Sequence, residues 1–242
     1  MPYPKINILA FAAHPDDVEI SISGTMLKHK ANGLSTGIID LTKGELGTRG
    51  SAEIRKNEAE KATQILELDI RENLGFADGF FQYTEDNLKA IAKFIRKYQP
   101  DIVLCNAISD RHPDHGKGHK IVADACFLSG LLKIELQDEN GLNLAPWRPK
   151  AVYAYIQDNF IEPDFVIDVT AHWDKRMEAL LSYESQFYKA NSTEPKTPIS
   201  SQEFLKHIEG RCLQLGRYIG VKYAEGFNVV RPVGVNLLTD LV

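Results

Sequence analysis

The stretch INILAFAAHPDDVEI (residues 6–20) decides the fold. Its first eight residues form a short apolar run, the pattern of a central parallel strand buried on both faces. A histidine, a proline and two aspartates then follow without a linker. Pro15 suits the first position of a helix, where its missing N–H does no harm. Residues 17–33, DVEISISGTMLKHKANG, read as that helix, with Gly33 as its C-terminal stop. His14, Asp16 and Asp17 therefore sit where a buried strand turns into a helix. Burying a polar group there without a partner costs about 2 to 7 kcal/mol, and a charge costs more. Hydrogen bonds, solvent or a metal ion must compensate.

The same alternation continues outward. STGIIDLT (35–42) reads as a second strand, and SAEIRKNEAEKATQILEL (51–68) as an amphipathic helix capped by Ser51. A short strand at 70–74 precedes a helix at 85–99, which Pro100 ends. DIVLCN (101–106) is another buried strand, and DHGKGHKIVADACFLSG (114–130) the next helix. Strands and helices alternating at these lengths imply right-handed βαβ units. The expected fold is a Rossmann-like, doubly wound α/β architecture, a mostly parallel sheet with helices on both faces. Further on, AVYAYI (151–156) and DFVIDV (164–169) read as strands. WDKRMEALLSYESQFY (173–188) and SQEFLKHIEGRCLQLGRYIG (201–220) read as helices. Between those helices KANSTEPKTPISS (189–201) is polar and carries prolines, as a mobile surface loop does. No linker divides the chain, so residues 1–242 are expected to form a single domain.

Composition narrows the class. With 242 residues, 43% hydrophobic and 25% charged, the chain can bury a real core. A net charge of -5, with scattered Lys and Arg, argues against a nucleic-acid partner. Cys105, Cys126 and Cys212 are odd in number and far apart, which suggests reduced thiols in a cytoplasmic protein. No apolar run approaches the roughly 18 residues of a membrane span. The AFA before Ala13 imitates a signal-peptidase site, but the run before it is short and broken by Asn7. The first strand-to-helix turn, AAHPDD, has no glycine, which argues against a dinucleotide cofactor, and no phosphate loop occurs.

In an open parallel sheet, ligands bind beyond the carboxyl ends of the strands, where the strand order reverses. His14 and Asp17 are three residues apart at such an end. A second stretch, SDRHPDHGKGH (109–119), repeats the arrangement after DIVLCN and carries His112, His115 and His119. If the two strands are neighbours, the two H-P-D clusters face each other across the crevice. Two histidines and a carboxylate with an open position make a hydrolytic zinc site. The most economical set is His14, Asp17 and His115. Asp16 is then free to act as general base, and His112 to donate to an oxyanion or leaving group. Asp114 can orient His112 or a ligating histidine. A single histidine at a strand end is usually just a half-exposed polar residue, and aspartates often cap helices. Two such clusters at two strand-to-helix junctions fit that reading far less well. His119 is as readily a satisfied helix residue as a supporting one. The loop TKGELGTRGSAEIR (42–55) has Gly44, Gly47 and Gly50, which let backbone approach a ligand closely. Arg49 and Arg55 in it can clamp a carboxylate bidentately or be solvated helix-start charges.

These stretches resemble the PIG-L/LmbE-like family of zinc-dependent N-acetylglucosaminyl deacetylases. AHPDD matches its first motif and HPDH its second, and the resemblance runs over most of the chain. Within the family, LTKGELGTRGSAEIRKNEA, RHPDHGKGH, MEALLSYESQF and KYAEGF look like the bacillithiol branch, which deacetylates N-acetylglucosaminyl-L-malate. The resemblance implies a metal-dependent amidohydrolase with zinc (Zn2+) on His14, Asp17 and His115, Asp16 as base, and His112 at the oxyanion or leaving amine. It implies malate-carboxylate binding by Arg55, with Arg49 and Arg111 as further contacts, and a homo-oligomer. Fe2+ uses a similar ligand set and is the other metal to consider. Ser21 and Ser23 stand where relatives tend to carry glycine or another small residue. Two other readings are the same chemistry on a chitobiose-type or inositol-linked conjugate, and a non-catalytic metal-binding Rossmann-like module.

Overall fold

A computed structural model of the chain describes residues 3–240. Its strands are β1 (Ile8–Ala12), β2 (Thr36–Thr42), β3 (Ile70–Phe76), β4 (Ile102–Cys105), β5 (Ala151–Tyr155), β6 (Phe165–Asp168) and β7 (Ala224–Val229). The helices are α1 (Asp17–Ser21), α2 (Ser23–Ala31), α3 (Ala52–Ile65), α4 (Glu85–Tyr98), α5 (Pro113–Leu128), α6 (Trp173–Leu181) and α7 (Gln202–Tyr218). All seven strands join one sheet in the order β3-β2-β1-β4-β5-β7-β6. The first five run parallel, and β7 lies antiparallel between β5 and β6. This is the doubly wound α/β architecture expected, with an antiparallel strand near one edge. Ile8 pairs with Thr36 on one side and Ile102 on the other, so the strand order reverses between β1 and β4. The first H-P-D cluster follows β1 and the second follows β4.

Every residue of β1 is buried, and alternate side chains feed different cores. Leu9 and Phe11 pack with α4 and α5, through residues such as Ile95 and Ile121. Ile8, Ala10 and Ala12 pack with Val18, Met26 and Ala179 on the opposite face. Burial on both faces is why the strand reads as a continuous apolar run rather than an alternation. The three cysteines are free and buried.

The structure differs from the expected elements at three places near the site. Residues 17–33 are not one helix: α1 ends at Ser21, and Ile22 (φ -142, ψ 17) separates it from α2. The break comes from far along the chain. The Glu225 carboxylate of β7 accepts the amides of Gly24 at 3.0 Å and Thr25 at 2.7 Å, capping a second helix start. A Cβ at Gly24 would lie 2.8 Å from Val169, so the close approach requires glycine. Strand β7 itself goes unread, because AEGFNV offers no apolar run although its first five residues are buried. Helix α6 stops at Leu181 rather than Tyr188, and Ser185 turns back to bond the Glu58 carboxylate through its amide and hydroxyl. Ser51 caps α3 as its sequence predicts, accepting the amide of Ile54 at 3.2 Å.

Candidate active site

The crevice above the β1–β4 junction has a volume of about 420 Å³. Its lining includes His14, Asp16, Asp17, Arg55, Arg111, His112 and His115, so both H-P-D clusters meet there. Larger grooves lie elsewhere, one of about 660 Å³ at the opposite end of the sheet around Asn7 and Arg148. Among the described residues, though, the groups able to surround a metal ion all centre on His14: His14 with His112 and His115, and His14 with Asp78 and Asp114. Chemistry rather than cavity size therefore locates the site.

The ring nitrogens are not equivalent. His14 Nε2 lies 3.1 Å from Asp78 Oδ1 and 3.4 Å from Asp114 Oδ2. That engages Nε2 as a proton donor and turns Nδ1 toward Asp17 Oδ2, 3.7 Å away. His115 Nδ1 is bonded to Asp110, which leaves Nε2 facing Asp17 Oδ1 at 3.1 Å. A nitrogen lone pair and a carboxylate oxygen at that distance repel unless a cation, either a proton or a metal ion, lies between them. The donor set fits a divalent metal, with carboxylates behind each ring nitrogen that points away from the centre. His112 differs. Its Nδ1 accepts the amide of Asp114 at 3.2 Å as the cap of α5, so the neutral ring carries its proton on Nε2. The ring is a donor here, and its cap bond sets it apart from the other two.

Electrostatics follows the same division. Burial opposes a charge on His14, but its hydrogen bonds to the Asp114, Asp17 and Asp78 carboxylates outweigh it and hold the ring well above its ordinary range. For His115 burial is likewise overcome, by Asp17 and Asp110, and its pKa rises to about 9. His112 is lowered by burial and by the neighbouring His14 and His115. The centre thus favours positive charge at two rings and a neutral third. A divalent ion that binds must displace those protons.

Asp16 is set apart by its backbone. Its φ of 118 is a left-handed conformation for a non-glycine residue, which costs about 1 to 3 kcal/mol and persists only where the surroundings impose it. Arg55 imposes it: Nη2 lies 2.7 Å from Asp16 Oδ2 and also donates to the Pro15 carbonyl. A Cβ at Gly44, where φ is 64, would collide with the Arg55 guanidinium, so the glycine loop wraps the arginine. Burial raises the Asp16 carboxyl to about 7, against the pull of Arg55.

The remaining sequence candidates fall in different places. Asp114 sits behind His14 rather than behind His112's proton-bearing nitrogen. Arg111 is at the crevice rim, half-exposed and paired with Asp158. Arg49 is not in the crevice lining: it reaches Ser192 Oγ at 2.9 Å and the carbonyls of Gln186 and Phe187. It thereby ties down the 189–201 segment, whose Thr197, Pro198 and Ile199 form part of the crevice wall. His119 contacts Cys105 Sγ at 3.3 Å and takes no part in the centre. Four supporting residues went unread: Asp78, Asn106, Asp110 and Gln157. The available signal was position, since all four follow the carboxyl ends of parallel strands β3, β4 and β5.

Fold and centre together define a doubly wound α/β protein whose switch-point crevice can hold a divalent metal between histidines and carboxylates. The sequence profile of the PIG-L family, described as GlcNAc-PI de-N-acetylase, matches residues 9–126, and the chain belongs to that family. It is similar to a crystal structure of a conserved protein of Thermus thermophilus, at 35% identity and a TM-score of 0.83, covering 95% of this chain and 97% of that one. It is 28% identical over 242 residues to the diacetylchitobiose deacetylase of Thermococcus kodakarensis, covering 96% of this chain and 85% of that protein. It is 27% identical over 198 residues to a probable N-acetyl-alpha-D-glucosaminyl L-malate deacetylase of Bacillus anthracis, covering 75% and 81%.

Proposed function

We propose that this chain hydrolyses the N-acetyl group of N-acetylglucosaminyl-L-malate, using zinc held by His14, Asp17 and His115. The observation that carries the ligand set is the paired arrangement behind the rings. Asp78 and Asp114 hold His14 Nε2, and Asp110 holds His115 Nδ1, so that the two other ring nitrogens turn toward one carboxylate, Asp17. Bound zinc would supply Lewis acidity, acidifying a water molecule and polarising the acetamide carbonyl.

The chain's own residues do the proton work. Asp16, held by Arg55 and raised by burial toward neutral pH, accepts the proton of the attacking water. His112, neutral and carrying its proton on Nε2, donates to the oxyanion that forms on the former carbonyl. The C–N bond breaks when the nitrogen gains a proton, from Asp16 or from His112. Acetate and a free glucosamine amine are the products. Arg111 at the rim provides the positive charge for the malate carboxylates, exchanging its Asp158 partner for substrate. Arg55, expected from the resemblance to bind malate, is instead committed to Asp16 and the Pro15 carbonyl.

A substrate panel on zinc-loaded protein tests this. Free amine should appear fastest from N-acetylglucosaminyl-L-malate. Faster release from diacetylchitobiose or an N-acetylglucosaminyl-inositol keeps the chemistry and replaces the aglycone. No amine from any of them leaves a metal-binding module.

A further inference from the structure

Asn106 and Gln157 lie just past the ends of β4 and β5, and both are buried, at 0% and 2% exposure. Neither is charged or a candidate ligand, yet both touch Asp17. We infer that these two amides form a positioning clamp that presents Asp17 to the metal; the inference rests on Asp17 being a ligand.

The hydrogen bonds leave the amides no freedom. Asn106 Oδ1 accepts the backbone N–H of Ala13 at 2.9 Å, so this atom must be the oxygen and the other end the NH2 group. That NH2 donates to Asp17 Oδ2 and to Gln157 Oε1, each at 2.9 Å. Gln157 Oε1 also accepts the amide of Ala107 at 3.0 Å, which fixes the second amide in turn. Its NH2 must therefore face the centre, donating to Asp17 Oδ1 at 3.2 Å and lying 3.4 Å from His115 Nε2. Two backbone N–H groups thus dictate, through two side chains, which way the donors point.

The consequence falls on Asp17. Its Oδ2 takes the backbone N–H of His14 at 2.9 Å and the Asn106 amide, which occupies both lone pairs of that oxygen. Oδ1 takes only the Gln157 amide and keeps a lone pair on the side of His115. Oδ1 is therefore the oxygen offered to a metal. Neutral amides suit the task, since an arginine or lysine in their place would orient the carboxylate but repel the incoming cation. The clamp also links three parallel strands, because Ala13, Asn106 and Gln157 follow β1, β4 and β5.

The test is zinc affinity of the metal-free chain, measured by competition with a chromogenic chelator, together with the visible spectrum of the Co2+ form. Gln157→Leu should weaken zinc binding about 10- to 100-fold, the usual effect of losing a residue that orients a ligand, and should alter the Co2+ bands. Gln157→Asn keeps the amide but is one methylene short, and should show a smaller loss; it carries the test if the leucine variant fails to fold. A residue that only supported the fold would lower thermal stability and leave the Co2+ spectrum as it was. Folded variants with parental zinc affinity and spectrum overturn the clamp while leaving the ligand set standing. A parent chain that takes up no zinc overturns both.

Discussion

Glu225→Ala should destabilise the protein more than any single surface change, and the structure indicates by how much. The Glu225 carboxylate is buried, accepts Arg176 Nε at 2.8 Å and caps α2 through two amides. Arg176 is fully buried, and its Nη2 holds the Ile20 carbonyl at 2.6 Å, a contact that Arg211 shares at 3.2 Å. Removing Glu225 leaves guanidinium charge buried without its carboxylate, which costs about 3 to 5 kcal/mol. Losing the helix cap adds about 1 kcal/mol. A chain of this size shifts its midpoint by roughly 2 to 4 °C per kcal/mol, so the expected fall is roughly 10 to 20 °C. Thermal and urea unfolding followed by circular dichroism measure it. Adding Arg176→Met to the variant should recover part of the loss, because removing both partners is milder than removing one. A loss below about 1 kcal/mol for Glu225→Ala would refute the reasoning, since it would mean the Arg176 charge is solvated or paired elsewhere.

Asp16→Asn should bind zinc like the parent but lose about 100- to 10,000-fold in turnover; near-parental turnover removes Asp16 from the mechanism. The same variant has a signature in stability. Burial lifts the folded-state carboxyl from 3.8 to about 7, so the metal-free folded protein keeps a proton that the unfolded chain has released. Between those values this group makes stability fall as pH rises, and subtracting the Asp16→Asn profile from the parental one should show that slope. His14→Ala should abolish zinc uptake measured by metal analysis after dialysis, and unchanged zinc content would discard the ligand set. Arg111→Ala should raise KM for the malate conjugate about 10-fold or more with kcat kept, from the loss of a charge-assisted hydrogen bond, and should leave diacetylchitobiose unaffected. Equal effects on both substrates would mean Arg111 does not read the carboxylate.

The parts of the site legible in the sequence are those that depend on short-range pattern. His14 and Asp17 stand out because they follow closely on a strand end that hydrophobicity alone locates, and His115 because it repeats the H-P-D pattern at the start of the helix after β4. Alternation of elements predicts the doubly wound sheet but leaves the strand order open. The structure supplies the reversal between β1 and β4, which turns two separate H-P-D clusters into one centre. The supporting residues are hidden for a different reason. Beyond their position just past a strand end, nothing in the local pattern around Asn106 or Gln157 distinguishes a buried amide from a turn residue. Only the sheet order places them 2.9 Å apart, across 51 residues of chain. The break at Ile22 is the same kind of event, since the carboxylate that caps α2 belongs to residue 225.

The two cases share a physical logic that bears on how the centre is built. Hydrophobic periodicity brings strand ends together, but it leaves the direction of each proposed ligand undetermined. Direction comes from groups fixed by the backbone itself: the Ala13 and Ala107 amides turn two side-chain amides, and those turn Asp17. The Gly79 amide likewise holds Asp114 Oδ2 at 2.8 Å, and Asp114 holds His14. Asp17 and His14, two of the three proposed ligands, are thus tied by chains of hydrogen bonds to main-chain N–H groups just past the strand ends. A ligand substitution removes one donor atom from the centre. Substituting an amide or carboxylate behind it leaves all three donors present but free to turn, so the loss should appear in metal affinity and ligand-field spectrum before it appears in the fold.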